Sequence, residues 1–203
     1  MSVFAKYHLG SLLGRSAHLH DMFNPITLPE LNFRDPKAPL IELRPLCAAD
    51  LVSWFDYLRL EEIRQRTSWN VNSPADLQQF IRKPDWSSPH AQIKFAIANK
   101  DDEQLIGTIG FHSISQTNQS AEIAYDLNPL YWGKGIATVA CRALTQWAHQ
   151  QGQFQRIQAT VLDSNFNSRR VLERCGFNLE GHLKKYRIVR GESRDYWMFS
   201  HIL

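Results

Sequence analysis

Two stretches of this 203-residue chain carry residue types that can bind an anion and move protons. The first is Leu127-Asn128-Pro129-Leu130-Tyr131-Trp132-Gly133-Lys134-Gly135-Ile136-Ala137-Thr138, set between a strand pattern and a helix pattern. A glycine-rich turn feeding a helix N-terminus offers free backbone N–H groups and the positive end of the helix dipole to a phosphate. Gly133 and Gly135 lack a Cβ, so the backbone there can approach an anion closely. The second stretch is Asn165-Phe166-Asn167-Ser168-Arg169-Arg170-Val171-Leu172-Glu173-Arg174-Cys175-Gly176-Phe177. Other glycine-loop readings fail on particular positions. A P-loop needs Gly where Asn128 stands and Ser or Thr directly after its Lys, whereas Gly135 follows Lys134. A dinucleotide fingerprint needs Gly or Ala at Thr138 and an acid about 20 residues on.

Taken together, the two stretches resemble the GNAT superfamily of acyl-CoA-dependent N-acetyltransferases. The pyrophosphate loop of that family, Gln/Arg-x-x-Gly-x-Gly/Ala, is matched by Trp132-x-x-Gly135-x-Ala137, with Trp132 departing from the usual first residue. Asn165-x-x-Ser168-x-x-Val171-Leu172-Glu173-Arg174-x-Gly176-Phe177 is similar to the Rim-type branch, which includes ribosomal-protein N-terminal acetyltransferases. The resemblance runs from about residue 40 to residue 203. It implies an α+β fold built on a mixed, mostly antiparallel sheet with a splayed central parallel pair. It also implies acetyl-CoA as co-substrate, no metal, and direct acetyl transfer to a primary amine, here a protein N-terminal α-amine. A small amine acceptor (polyamine, amino acid or antibiotic) and a non-catalytic acyl-CoA-binding module remain as alternatives.

Acetyl transfer from a thioester needs a neutral amine, a stabilised oxyanion and a protonated thiolate. The resemblance places the pantetheine arm in the gap between the two parallel strands, 120–127 and 156–162, against the backbone of Tyr125, Asp126 and Leu127. The amides of Gly133, Lys134, Gly135, Ile136, Ala137 and Thr138 would hold the pyrophosphate. Asn165 would touch the pantetheine amide, and Ser168 would protonate the departing sulfur. A related branch carries a Glu base and a Tyr acid where this chain has Thr160 and Leu172, so neither role carries over. Glu122 is the remaining acid near the site. It shares strand parity with Ala124 and Asp126, facing the acceptor side opposite Ile123 and Tyr125. Glu122 and Ser168 are therefore the expected catalytic pair. Each also has a structural alternative, as a strand salt-bridge partner and a helix-start serine respectively. Asp195, Arg169 and Arg170 read either as site residues or as solvated charges.

Composition bounds the rest. A hydrophobic fraction of 43% and a net charge of +3 indicate a globular chain with no implied nucleic-acid partner. Cys47, Cys141 and Cys175 show no CxxC or His/Cys clustering and read as reduced thiols of a cytoplasmic protein, monomeric or homodimeric. No apolar run of membrane-spanning length is present. Residues 1–38, broken by Pro25, Pro29 and Pro36, read as an extension ahead of a domain at 39–203, with His18 and His20 as ordinary surface residues.

The pattern then predicts a strand at 40–46, a helical stretch at 48–66 broken near Leu58, and a helix at 74–82 capped by Ser73. Three meandering strands follow at 93–98, 104–114 and 120–127. The helix after the glycine loop should bury Ile136, Ala140, Ala143, Leu144 and Trp147 and expose Arg142, Gln146 and His149. A parallel strand at 156–162 follows. Next comes a helix capped by Asn165 and ended by Gly176, with Phe177 folding back onto Leu172. A last hairpin, 182–190 and 194–202, turns at Gly191. The acceptor loops are expected at 58–73 and 83–91, where Trp69 and Trp86 are candidate wall residues.

Overall fold

The structure is a computed structural model that describes residues 27–31, 39–81 and 90–203. His18, His20, Trp86 and most of the expected extension lie outside the described residues. In chain order the elements are β1 (Ile41–Pro45), α1 (Asp50–Leu58), α2 (Glu61–Arg64), a 3-10 helix (Pro74–Ile81), β2 (Ile93–Asn99), β3 (Leu105–Ser115) and β4 (Ser120–Leu127). A short 3-10 turn (Pro129–Tyr131), α3 (Ile136–Gln150), β5 (Arg156–Leu162), α4 (Phe166–Arg174), β6 (Asn178–Val189) and β7 (Glu192–Ile202) complete the chain. The strands form one seven-stranded sheet in the order β1-β2-β3-β4-β5-β7-β6. All neighbours are antiparallel except β4 and β5. No described helix is long and apolar enough to cross a membrane.

Strand alternation feeds two cores, one on each face of the sheet. Ile109, Phe111, Ile123, Ile157 and Phe199 meet the apolar stripe of α3, in which Ile136, Ala140 and Leu144 are buried. On the other face Ala96 and Leu105 meet Trp54, Leu58, Leu77 and Phe80. Burying an aliphatic side chain such as Leu144 contributes roughly 1.5–3 kcal/mol. Residues of the expected extension join the first core: Leu28 packs on it, Leu31 is buried in it, and the Trp147 indole donates to Thr27 O at 2.8 Å.

Local chemistry accounts for most boundaries. The helical stretch breaks where Leu60 turns extended, at ψ 135°. Asp50 opens α1 by accepting from Cys47 N at 2.8 Å and from both terminal nitrogens of Arg44. Asn165 caps α4 through Ser168 N at 3.1 Å. Gly176, at φ +85°, ends the helix: Phe177 N bonds Leu172 O and Gly176 N bonds Glu173 O, the Schellman pair.

Several expectations need correction. The element at residues 74–81 is a 3-10 helix, and its start is held by Asp76, which accepts from Asn72 N and Ser73 N, rather than by a Ser73 cap. His149 is buried instead of exposed, bonded to Phe154 O at 2.6 Å and to His201 at 2.9 Å. The final hairpin starts its strands earlier than expected, at Asn178 and Glu192, and turns through Arg190 and Gly191, both at positive φ.

Candidate active site

The parallel pair β4–β5 is the origin of the site. Its ladder joins Ser120 to Arg156, Ala121 to Ile157 and Glu122 to Gln158, and stops there. Beyond Glu122 the strands diverge, so Ile123 to Leu127 and Ala159 to Leu162 face a gap instead of each other. Two cavities open from it, of about 360 Å³ and about 410 Å³. Both are lined by Arg66, Thr67, Tyr125, Asn165 and Ser168, so they meet at the divergence.

The larger cavity lies under the glycine loop. Gly133 and Gly135 adopt left-handed φ of +77° and +79°, and Gly135 stands at the N-cap of α3 with no side chain over the helix end. That geometry leaves the loop amides open to an anion. Tyr125, Asp126, Leu127, Gly133, Gly135, Ile136, Ala137, Thr138 and Asn165 all line this cavity. Lys134 does not line it; its ammonium sits over the Tyr131 ring at 5.1 Å. Arg170 and Arg174 line the cavity too, adding positive charge, while Arg169 pairs with Glu173 at 2.8 Å. The departure at Trp132 has a local use: its indole donates to Leu127 O at 2.8 Å, fixing the loop to the end of β4.

The smaller cavity lies over the opposite end of the gap. Its floor is a row of small residues, Gly110 opposite Ala124, flanked by Lys94 on β2. A Cβ at Gly110 would come within 1.8 Å of Ile93 O, so only glycine fits there. The next row is His112 opposite Glu122, itself opposite Gln158. Arg190 holds the cavity wall by donating to Trp69 O at 3.1 Å and to Arg64 O.

Glu122 is 3% exposed and heavily engaged. Its Oε1 accepts from Thr160 Oγ1 and from Arg187 Nη2 at 3.3 Å, and its Oε2 accepts from Gln158 Nε2 at 3.5 Å. His112 Nε2 stands 3.7 Å from Oε1. Burial pushes the His112 imidazole below its ordinary value, Lys94 and Arg187 push the same way, and Glu122 opposes them. Burial likewise lowers the Lys94 ammonium, against the pull of Asp126 3.9 Å away.

Ser168 sits where the cavities meet, its Oγ 3.0 Å from the Tyr125 phenol. Burial holds that phenol well above its ordinary value, so it stays protonated. Asn165 uses Oδ1 for the helix cap and Nδ2 for Arg66 O at 2.9 Å. Asp126, expected to act through its backbone, also has a buried carboxylate that gathers Trp54 Nε1 at 3.2 Å, Tyr57 OH at 2.5 Å and Thr108 Oγ1 at 2.7 Å. Asp195 lies outside both cavities, 3.3 Å from His182; Asp163 joins them, with ligand-type atoms of all three within 4.8 Å.

Sequence reasoning missed His112, Lys94, Arg187 and Arg66. In unbroken register the hairpin that closes with Ser115 opposite Ser120 would pair His112 with Ile123. The bulge between His112 and Ser115 is what brings His112 opposite Glu122, so sequence spacing alone does not reveal the pair.

A sequence model of the family described as "Acetyltransferase (GNAT) domain" matches residues 41–178. The chain is 36% identical over 131 residues to "Uncharacterized N-acetyltransferase p20" of Bacillus licheniformis, covering 64% of this chain and 72% of that protein. It is 30% identical over 143 residues to the "Ribosomal-protein-serine acetyltransferase" of Escherichia coli (strain K12), covering 70% and 79%. Among solved structures, "Microcin C7 self immunity acetyltransferase MccE in complex with Acetyl-CoA and AMP" superposes with a TM-score of 0.68 at 26% identity, covering 80% of this chain and 92% of that one. The chain belongs to the GNAT acetyltransferase family, and is an N-acetyltransferase of the Rim-type branch with the family's mixed sheet.

Proposed function

We propose that this acetyltransferase moves the acetyl group of acetyl-CoA directly onto a protein N-terminal α-amine. One observation carries the reading. A cavity under an anion-binding glycine loop meets a second cavity holding a buried carboxylate, and Ser168 stands at the junction. Acetyl-CoA is the acyl donor. Its pyrophosphate would lie on the amides of residues 133–138 with Arg170 and Arg174 beside it, and its thioester would reach the junction past Tyr125, Asp126, Leu127 and Asn165. Backbone N–H groups of the diverging β4 edge would stabilise the oxyanion. Glu122 would draw in the amine and assist its deprotonation, and the Ser168 hydroxyl would give the departing sulfur its proton.

The acceptor follows from charge and acidity. Among the described residues the cavity is lined by the cations Arg66, Lys94 and Arg187 against one carboxylate side chain, Glu122. Such a lining repels a polyamine. A peptide α-amine has a pKa of about 7.7–8.0, against about 10.4 for a lysine side chain. Near pH 7.5 the α-amine is therefore far easier to deprotonate than a lysine side chain and asks less of the base. The ribosomal-protein-serine acetyltransferase relative supports the same class of acceptor.

Mass spectrometry after incubation with acetyl-CoA tests this. Hexapeptides with free Ala or Ser N-termini should be modified faster than their N-blocked, lysine-containing twins or spermidine. Preferential modification of the blocked peptide or of spermidine overturns the acceptor assignment.

A further inference from the structure

We propose that His112 is the group that takes the proton from the acceptor amine, with Glu122 as the carboxylate that orients the amine and stabilises the imidazolium. This deepens the reading above and rests on acetyl transfer occurring in this cavity. Three observations carry it.

The first concerns the lone pairs of Glu122. Oε1 is taken by Thr160 and Arg187, and Oε2 by Gln158. A carboxylate satisfied in this way is a good fixed anion. Protonating it at Oε1 would put a donor where two donors already point.

Second, His112 has what Glu122 lacks. Its Nδ1 is 3.0 Å from Ser113 Oγ. With Nδ1–H donating to that hydroxyl, the Nε2 lone pair faces the cavity beside Glu122 Oε1. An ammonium placed between them is held by the charge of Glu122 while passing a proton to Nε2.

Third, the backbone is bent to aim this ring. The β3–β4 register slips between His112 and Ser115, and Ser113 sits at φ +52°, a left-handed conformation that strains a non-glycine residue. The β6–β7 register slips in the same way between Leu183 and Arg187, with Lys185 at φ +50°. Two bulges from opposite halves of the sheet thus bring His112 and Arg187 to one carboxylate.

The charged groups facing the ring are Glu122 from β4, Lys94 from β2 and Arg187 from β6. Burial and the two cations keep the imidazole neutral at neutral pH, ready to accept. Once protonated, it is stabilised by Glu122.

The proton count closes. The amine arrives as an ammonium, and one N–H bond breaks as a proton moves to Nε2. The freed lone pair forms the C–N bond to the thioester carbon. The C–S bond breaks with its electron pair on sulfur, which takes a proton through the Ser168 hydroxyl. That uptake balances the second proton lost by nitrogen. The proton on His112 leaves to solvent, giving one proton released per turnover.

The test compares His112→Gln and Glu122→Gln in the full chain, reading CoA affinity by calorimetry and kcat against pH with a free Ala-terminal hexapeptide. Both variants should bind CoA normally. His112→Gln should lower kcat by about 10²–10⁴-fold and lose the acidic limb of its pH profile. Glu122→Gln should keep that limb but move it to lower pH, because the anion that favours the imidazolium is gone. An unchanged limb in His112→Gln, with loss of the limb in Glu122→Gln, overturns the proposal and makes Glu122 the base. A readout that needs no acceptor separates failure of this proposal from failure of the transferase reading. In the CoA complex the His112 ring resonances should titrate below about 6.5, and lower still in Glu122→Gln. A midpoint that Glu122→Gln leaves in place overturns the pairing, whatever amine is modified.

Discussion

The Tyr125 phenol lies 3.0 Å from the hydroxyl and 3.1 Å from the carbonyl oxygen of Ser168, linking β4 to the first turn of α4. The serine proposed above as proton donor to the sulfur is thereby held by a phenol that stays protonated. Ser168→Ala should lower turnover by about 10²-fold with little change in Tm, because Asn165 still caps the helix. Tyr125→Phe removes both contacts, each worth about 0.5–1.5 kcal/mol, and should cost about three- to tenfold in kcat. Rapid-quench turnover beside thermal melts checks both; parallel losses of stability and activity would leave Ser168 a helix-start serine.

The glycine loop makes a sharper prediction. Gly135→Asp introduces a Cβ at a φ of +79° and a carboxylate where an anion should sit. CoA binding should vanish in calorimetry, whereas Gly135→Ala should weaken it through backbone strain of roughly 1–2 kcal/mol. A folded Gly135→Asp protein that binds CoA normally removes the phosphate from this loop.

Asp126 should matter to stability. Asp126→Ala leaves Trp54, Tyr57 and Thr108 as buried donors without their acceptor, and Lys94 without its counter-charge. The expected loss is about 3–5 kcal/mol in urea unfolding. A loss under about 1 kcal/mol would mean that water or a shifted neighbour replaces the carboxylate.

Acid stability should depend on the outer hairpin. The Arg156 guanidinium, with help from Ser200, lowers the Glu180 carboxyl from 4.5 to about 2. A depressed carboxyl contributes stability that is complete above its unfolded value and lost as pH falls through its folded value. The window is therefore from pH 4.5 down to about 2. The Glu180 side chain is 40% exposed, so solvent screens the pair and its share is modest. Glu180→Gln should flatten the stability-against-pH slope below pH 4.5 and leave the slope at neutral pH unchanged.

Much of the architecture was legible because its signals are local. Pro129, Gly133 and Gly135 announce a turn into a helix, Asn165 and Gly176 bracket α4, and polar turns separate the meander strands. The candidate site was legible where one motif carried it, in the glycine loop and at Ser168. It was illegible where partners come from distant segments. Glu122 gave no sign of Thr160 or Arg187, because that meeting depends on where the ladder stops and on a bulge in β6. His149 matched the exposed face of α3 by periodicity, yet its partner His201 lies on the last strand and draws it inward. Trp132 read as a departure from the family pattern because its use, capping Leu127 O, is a tertiary hydrogen bond.

The early end of the β4–β5 ladder has a consequence for the protein without its donor. A sheet interrupted at its centre carries two internal edges, each able to pair with any extended chain that reaches it. The pantetheine arm, with its two amides, would serve as the missing strand and close that seam. Folding and donor supply are then thermodynamically linked: at a CoA concentration a hundred times its Kd the native state gains about 2.7 kcal/mol. Without CoA the molecule would forgo that gain and leave the seam open, so acyl-CoA would act as its folding ligand as well as its reagent.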